Sequence, residues 1–385
     1  METLILGWYV LVETGSVLLL SLFGALLWVG TLVAPMFGVV GDRIGHRNLL
    51  CGMRAFYTVL AATLMAIAFA GALSPLVVFI IAGLMGLVRP SDLGVRGALV
   101  ANVVPAEQLM GAVGISRTTS DAARVMGALA GAGLFAGFGI GAAYILVTSL
   151  YALGLLLVLA MDNPTRPGAT AAPVGVARAS HWRDLCEGLA FVWSSPPLFA
   201  GMCLAVLVNL TAFPVSIGLL PYVARDIYGV DQTGLGYLTA SFSGGALIGS
   251  VAVSMWRGIA PARTMIVSAL AWLFFLLLFA HMQTLPWGAL MLALAGFAQS
   301  LCMVTLAVVL LRIAGERFGG RIMGVRMLAI YGLPLGLLAG GALIDVVGFP
   351  ATGTLYAALG IVLTLVIGVC WRGQLWRADV PANAR

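Results

Sequence analysis

Residues 38–47 read GVVGDRIGHR, a polar and glycine-rich stretch that separates two long apolar runs. The run before it is SVLLLSLFGALLWVGTLVAP (16–35), and the run after it is LLCGMRAFYTVLAATLMAIAFAGAL (49–73). A helix of about 20 apolar residues is long enough to cross the hydrocarbon core of a bilayer. The stretch therefore reads as a short loop at a membrane surface that joins two spanning helices.

The whole chain follows this pattern. Of its 385 residues, 62% are hydrophobic and 9% are charged, which is more apolar surface than a soluble protein of this length can bury. We count about eleven full-length apolar runs and one shorter run at residues 4–12. The runs are continuous rather than alternating, so they predict helices and not a β-barrel. The sequence predicts an all-α, polytopic membrane protein with about eleven full spans and a first helix truncated to a stub.

Arginines mark alternate connections between these runs, for example Arg43, Arg47, Arg183 and Arg372. The positive-inside rule assigns such connections to the cytoplasm. We therefore expect a multi-pass protein of the bacterial cytoplasmic (inner) membrane with a cytoplasmic C-terminus. The net charge of +6 follows from this asymmetry, and no basic face of a soluble domain favours nucleic acid as a partner.

One long polar segment, DNPTRPGATAAPVGVARASHWRDL (162–185), divides the chain. It predicts four regions: an N-terminal bundle at 1–161, a linker with an interfacial helix at 162–190, a C-terminal bundle at 191–373 and a tail at 374–385. The two bundles also match each other. An offset of 209 residues aligns identical residues such as Glu107 with Glu316, Gly127 with Gly336 and Gly139 with Gly348, and an offset of 214 aligns residues 14–27 with 228–241. This register predicts two parallel six-helix repeats related by a pseudo-twofold axis.

Charged residues inside the spans are the strongest functional signal, because ionisable groups are costly in lipid. They cluster on the fourth and fifth spans, as Arg89, Asp92, Arg96, Arg117, Asp121 and Arg124. Asp92 and Arg96 share one helix face, and so do Arg117 and Asp121. We predict one network of substrate or proton-coupling residues, with Asp121 as the preferred proton carrier. The alternative is that these residues only pair and join two helices.

The arginines of this cluster outnumber its carboxylates, so a further group must balance them: a carboxylate on the missing part of the first helix, water or an anionic substrate. Arg54, near the end of its span, is interpreted as reaching back to the membrane surface. In the second half, Asn209, Gln299 and Thr305 are candidate cavity-lining residues, although hydrogen bonding within the core explains them equally well.

Signals for catalysis and for metal binding are absent from the sequence. The five cysteines are scattered, the three histidines fall at the ends of spans, and no HExxH, GxSxG or Walker A pattern occurs. We therefore expect no metal, no cofactor and no enzymatic activity.

The loop GVVGDRIGHRNLL resembles the loop between helices two and three of the major facilitator superfamily, whose pattern is G-x-x-x-D-R/K-x-G-x-R-R/K. The matching residues are Gly38, Asp42, Arg43, Gly45 and Arg47, whereas Asn48 departs from the pattern. The wider layout, with RPSDLGVRGALVANVVPAEQL, LPYVARDIYGV and ERFGGRIMGV, is similar to bacterial exporters related to the enterobactin exporter and the macrolide efflux pumps.

This resemblance implies two six-helix bundles and a loop that gates the cytoplasmic side, with a simple positive-inside loop as the alternative reading. It also implies a monomeric secondary transporter that exports a small organic molecule by alternating access and proton antiport. Its partners are then the substrate, protons and the lipid bilayer. The alternatives are an importer of a small anionic metabolite and a truncated, non-transporting carrier homologue.

Overall fold

The computed structural model of the chain describes residues 1–31, 37, 40, 44–103, 109–161, 181–255 and 260–376. Within these ranges, the side chains of residues 93–94, 97–103, 109–114, 117, 181–186 and 315–321 lie outside the description. The described residues form helices and turns, with no β-strand among them. The prediction of an all-α protein is confirmed.

The helices in chain order are α1 (Glu2–Thr14), α2 (Val17–Leu26, followed by a 3-10 turn at Val29–Thr31), α3 (His46–Phe69), α4 (Pro75–Val103), α5 (Leu109–Ala160), α6 (His181–Ser194), α7 (Pro196–Phe213, continued by π-helical turns at Pro214–Gly218 and Val223–Ile227), α8 (Gln232–Met255), α9 (Pro261–Ala280), α10 (Leu285–Leu328), α11 (Gly332–Cys370) and α12 (Arg372–Leu375). Eight helical stretches of the described residues are long and apolar enough to cross a membrane. The chain is a multi-pass membrane protein.

Two of these stretches are too long for one crossing, and each is broken at a glycine. Gly139 in α5 has φ 79° and ψ 178°, and Gly348 in α11 has φ 80° and ψ 168°. This backbone conformation strains any residue that carries a Cβ atom. In α11 the Tyr356 hydroxyl donates a hydrogen bond to the Gly336 carbonyl at 2.7 Å. In a straight helix these two residues would lie about 30 Å apart, so the chain reverses its direction at the break.

The two halves of the chain meet along two pairs of helices, α2 with α11 and α5 with α8. Small residues allow the close approach: Gly341 faces Ser21, and Gly236 faces Ala132. In lipid, where apolar side chains gain little by leaving the solvent, such close packing is a main source of helix association. Both contacts lie near the connections at Gly15 and Gly139.

Candidate functional site

A polar cavity of about 440 Å³ lies inside the N-terminal half of the molecule. Residues of α1, α3, α4 and both segments of α5 line it, together with Leu27 at the end of α2. Its charged and tyrosine side chains are those of Glu2, Arg54, Tyr57, Arg89, Asp92 and Tyr151. A concave site with a few converging polar groups inside an apolar bundle is the usual form of a ligand-binding site.

Glu2 is the carboxylate that α1 contributes to this cavity. It lies in the first turn of the helix, where the helix dipole favours a negative charge. Its Oε2 atom accepts a hydrogen bond from the Tyr151 hydroxyl at 2.9 Å. Its buried Oε1 atom makes no hydrogen bond of good geometry among the described residues, and the Tyr144 hydroxyl, which interacts with the same carboxylate, is the donor beside it. Glu2 therefore retains a buried acceptor position that a proton or a ligand could use.

Arg89 is the cation that interacts electrostatically with Glu2. Its Nη1 atom donates to Thr3 Oγ1 at 3.3 Å, and its guanidinium carbon lies 5.4 Å from the centre of the Trp28 ring. The next residue, Pro90, lies inside α4 and lacks the backbone N–H that would continue the helical hydrogen bonding. Arg89 is thus held between α1 and the end of α2 by polar and cation–π contacts.

Asp92 forms an ion pair with Arg54 of α3. The Arg54 Nη2 atom donates to both carboxylate oxygens of Asp92, at 2.8 and 3.1 Å, and the two side chains are 17% and 13% exposed. The interpretation of Arg54 as a residue that reaches the membrane surface is wrong, because its charge is neutralised inside the bundle. Arg96, which shares a helix face with Asp92, is partly buried and is not among the residues lining the cavity.

Asp121 is buried on α5, and Arg124 contacts its Oδ1 atom at 3.4 Å. Arg124 itself is largely exposed, at 66%. Neither residue is among those lining the cavity, although Ala123 and Gly127 of the same helix are. The side chain of Arg117 lies outside the described residues. Of the six charged residues predicted as one network, the structure brings Arg89 and Asp92 to the cavity.

The described part of the 38–47 loop shows how α3 begins. Gly45 precedes α3 with φ 87°, a conformation that favours glycine. The Arg47 Nη2 atom donates to the Leu159 carbonyl at 2.6 Å, so it caps the C-terminal end of α5 with a positive charge. Gly38, Asp42 and Arg43 lie outside the described residues.

The three polar candidates of the second half do not line the cavity described above. Asn209 donates to the Ala205 carbonyl at 2.8 Å, and Thr305 donates to the Leu301 carbonyl at 2.7 Å, so both bond within their own helices. Gln299 is buried, with 6% of its surface exposed.

Arg225 connects the two halves at the far end of α1 from Glu2. Its Nη1 atom donates to the Leu11 carbonyl at 2.7 Å, and the backbone N–H of Gly15 donates to the same carbonyl at 2.9 Å. Carbonyls at a helix C-terminus lack partners within the helix, and a cation there is favourable. Arg225 therefore contributes to closing the molecule on this side.

Four of the residues of the cavity were missed by reasoning from the sequence. Glu2 lies in a segment that is too short to read as a span, and Arg54 lies near the end of one. Tyr57 and Tyr151, whose rings stack with 5.4 Å between their centres, were not singled out from the sequence. One sequence signal could have indicated Tyr151: it follows Tyr144 by seven residues, so the two hydroxyl-bearing side chains lie on one face of α5.

Comparison with known proteins identifies relatives that agree with this architecture. The sequence model of the Major Facilitator Superfamily matches residues 3–327 and 202–383. The multidrug efflux pump Tap of Mycobacterium tuberculosis (strain ATCC 25618 / H37Rv) is 26% identical over 228 residues, which are 58% of this chain and 52% of Tap. The same pump from Mycobacterium bovis gives the same values. The chain thus spans about half the length of the curated relatives it matches.

Solved structures share the fold at low sequence identity. A POT family transporter in complex with 5-aminolevulinic acid has a TM-score of 0.72 at 14% identity, covering 97% of this chain and 94% of that one. A D-xylose-proton symporter has a TM-score of 0.67 at 14% identity, covering 95% and 94%. The nucleoside transporter NupG has a TM-score of 0.66 at 14% identity, covering 96% and 94%. With the helical bundle, the buried polar cavity and a family match over most of its length, the chain belongs to the Major Facilitator Superfamily.

Proposed function

We propose that the chain is a secondary active transporter that exports a small organic molecule across the bacterial cytoplasmic membrane by alternating access, in exchange for protons. The similarity to a multidrug efflux pump supports the direction and the class of substrate. Coupling to protons is supported by the buried carboxylates and by the fold shared with a D-xylose-proton symporter. We further propose that it works as a monomer with its C-terminus in the cytoplasm.

The observation that carries this proposal is the state of Glu2. Its Oε1 atom is buried beside Arg89 and makes no hydrogen bond of good geometry among the described residues. Among the side chains of the cavity, the charges of Glu2 and Asp92 balance those of Arg89 and Arg54, and the Met1 amino group lies beside Glu2. A proton on Glu2 removes one negative charge and leaves one guanidinium unbalanced, which changes what the cavity attracts. A proton and a cationic substrate can therefore replace one another at the Glu2 carboxylate, as antiport requires.

Asp121 remains a second proposed carrier. It is buried and in contact with Arg124, and its protonation would weaken that contact. The two candidates lie on different helices, α1 and α5, so separate variants distinguish them.

We propose two six-helix repeats and a gating role for the 38–47 loop. The repeat is supported by the glycines that it aligns: Gly139 and Gly348 have φ 79° and 80°, and Gly15 and Gly229 both have φ 62°. Four positive-φ glycines that match pairwise in the predicted register indicate the same connections in both halves. Rocking of one repeat against the other would open the contacts of α2 with α11 and of α5 with α8, while the loop closes the opposite side.

The test uses inside-out membrane vesicles with an acidic interior. Catecholate siderophores, macrolides, dyes and small organic acids are added in turn, and a pH-sensitive dye reports loss of the gradient. An antiport substrate collapses the gradient with the unaltered chain. We expect at least tenfold slower collapse with Glu2→Gln and no change with Glu13→Gln, an exposed carboxylate on the same helix.

Each result assigns the coupling site. Full activity of Glu2→Gln together with loss in Asp121→Asn would move the proton site to α5. Absence of collapse with every compound, at normal protein levels, would refute proton-coupled export of these classes. Accumulation of small organic acids by right-side-out vesicles would then favour the second candidate function, import of a small anionic metabolite, which the two arginines of the cavity could attract.

A further inference from the structure

A pair of arginines and a tryptophan form a compact group where α9 begins and α11 ends. The guanidinium carbon of Arg263 lies 4.9 Å from the centre of the Trp376 ring, and that of Arg372 lies 5.7 Å from the same centre. All three side chains are exposed. We refer to Arg263, Arg372 and Trp376 as the RRW group.

The protein builds this group by bringing two helices close together. Gly368 of α11 lies against Ile266 of α9, one turn from each arginine, and a Cβ atom at Gly368 would meet Ile266 Cγ2 at 3.2 Å. Leu375, next to Trp376, is fully buried, and its backbone N–H donates to the Trp371 carbonyl at 2.8 Å. The ring of Trp376 is therefore held in place beside the ends of two spanning helices.

An apolar strip continues from the RRW group along both helices. Val267 follows Arg263 by one turn and is 65% exposed, and Val369 precedes Arg372 by one turn and is 70% exposed. Val366, a further turn along α11, is 46% exposed. Exposed branched side chains on membrane-spanning helices lie against lipid tails. The strip begins at the point where the positive charges end.

The geometry points to a binding site for one anionic phospholipid, with its phosphate between the two arginines and its acyl chains along the strip of Val267, Val366 and Val369. Guanidinium binds phosphate well, so two guanidinium groups beside one ring suit a phosphate diester. Tryptophan is favoured at the level of the lipid headgroups. A soluble phosphate pairs with the two arginines but leaves the apolar strip uncovered. The proposed ligand is therefore a lipid.

The first test measures lipid binding by native mass spectrometry of the full chain in a neutral detergent. Phosphatidylglycerol is titrated in parallel with phosphatidylcholine and with inorganic phosphate. We expect a tightly bound phosphatidylglycerol that the double variant Arg263→Gln/Arg372→Gln holds about 30-fold more weakly. The matched control is Arg312→Gln, an exposed arginine on α10, which should leave the affinity unchanged.

Three results would overturn the proposal: equal affinity for phosphatidylcholine, equal weakening by Arg312→Gln, or phosphate alone displacing the lipid at low millimolar concentration. A second measurement needs no variant and so covers a double variant that fails to fold. A phosphatidylglycerol analogue with a photoreactive acyl chain should crosslink to peptides that contain Val267 or Val369. Crosslinks confined to other helices would also reject the site.

Discussion

The Arg54–Asp92 ion pair allows a quantitative test of the cavity, since it joins α3 and α4 and is mostly shielded from water. The variant Asp92→Leu leaves Arg54 and Arg89 facing the single carboxylate of Glu2. The variant Arg54→Met leaves Asp92 without its bidentate partner. Removing one partner of a buried pair costs about 3–5 kcal/mol, and the 13–17% residual exposure of these side chains favours the lower end, about 3 kcal/mol.

The double variant Arg54→Met/Asp92→Leu should be more stable than either single variant, because the remaining charges of the cavity balance and two apolar side chains fill the space. We expect a coupling free energy of at least about 2 kcal/mol between the two sites. The assay is equilibrium unfolding in mixed micelles, followed by tryptophan fluorescence. The exposed Glu13→Gln serves as a control and should change the free energy of unfolding by less than about 0.5 kcal/mol. Additive effects of the two substitutions would refute the pairing.

Three further predictions concern single positions. Gly348→Ala places a Cβ atom on a residue with φ 80° and should destabilise the protein by about 1–2 kcal/mol in the same unfolding assay. The control Gly244→Ala places its Cβ atom in open space and should be neutral or slightly stabilising. Arg225→Gln removes the cation at the Leu11 carbonyl and should speed amide hydrogen exchange in the last turn of α1 at least threefold. Unchanged exchange would mean that this contact does not hold the two halves together at the C-terminal end of α1. Tyr151→Phe removes the hydrogen bond that the Tyr151 hydroxyl donates to the Glu2 carboxylate and should shift the pH dependence of substrate-driven gradient collapse. An unshifted profile would separate Glu2 from coupling.

The number and type of the elements could largely be predicted from the sequence, because the bilayer imposes a minimum length on every apolar run. The breaks at Gly139 and Gly348 could be anticipated as a matched pair from the 209-residue register. The partners of the charged side chains inside the helices could not be predicted from the sequence. Spanning helices are apolar on all faces, so the sequence does not indicate how each helix is rotated about its axis, and that rotation decides whether Asp92 meets Arg96 or Arg54.

For the site, sequence reasoning identified the helix α4 and two of the charges that line the cavity, Arg89 and Asp92. It paired α4 with α5 because they are adjacent in sequence, and the cavity instead joins Arg89 to α1 and Asp92 to α3. Glu2 was not among the predicted residues, because it stands just before the short apolar run at residues 4–12, which is too short to be identified as a span.

Helix α1 connects Glu2, the proposed proton site, with the contact between the halves. Glu2 lies in its first turn and Leu11 near its last, about 13 Å apart along the helix axis. One end is held by Tyr151 and Arg89 of the N-terminal half, and the other end by Arg225 of the C-terminal half. Because a helix of this length moves as a rigid rod, a change in the contacts of Glu2 is transmitted to the Leu11 carbonyl without any unfolding between them. Protonation within one half can in this way alter the closure between both halves, which is the coupling that an antiporter needs.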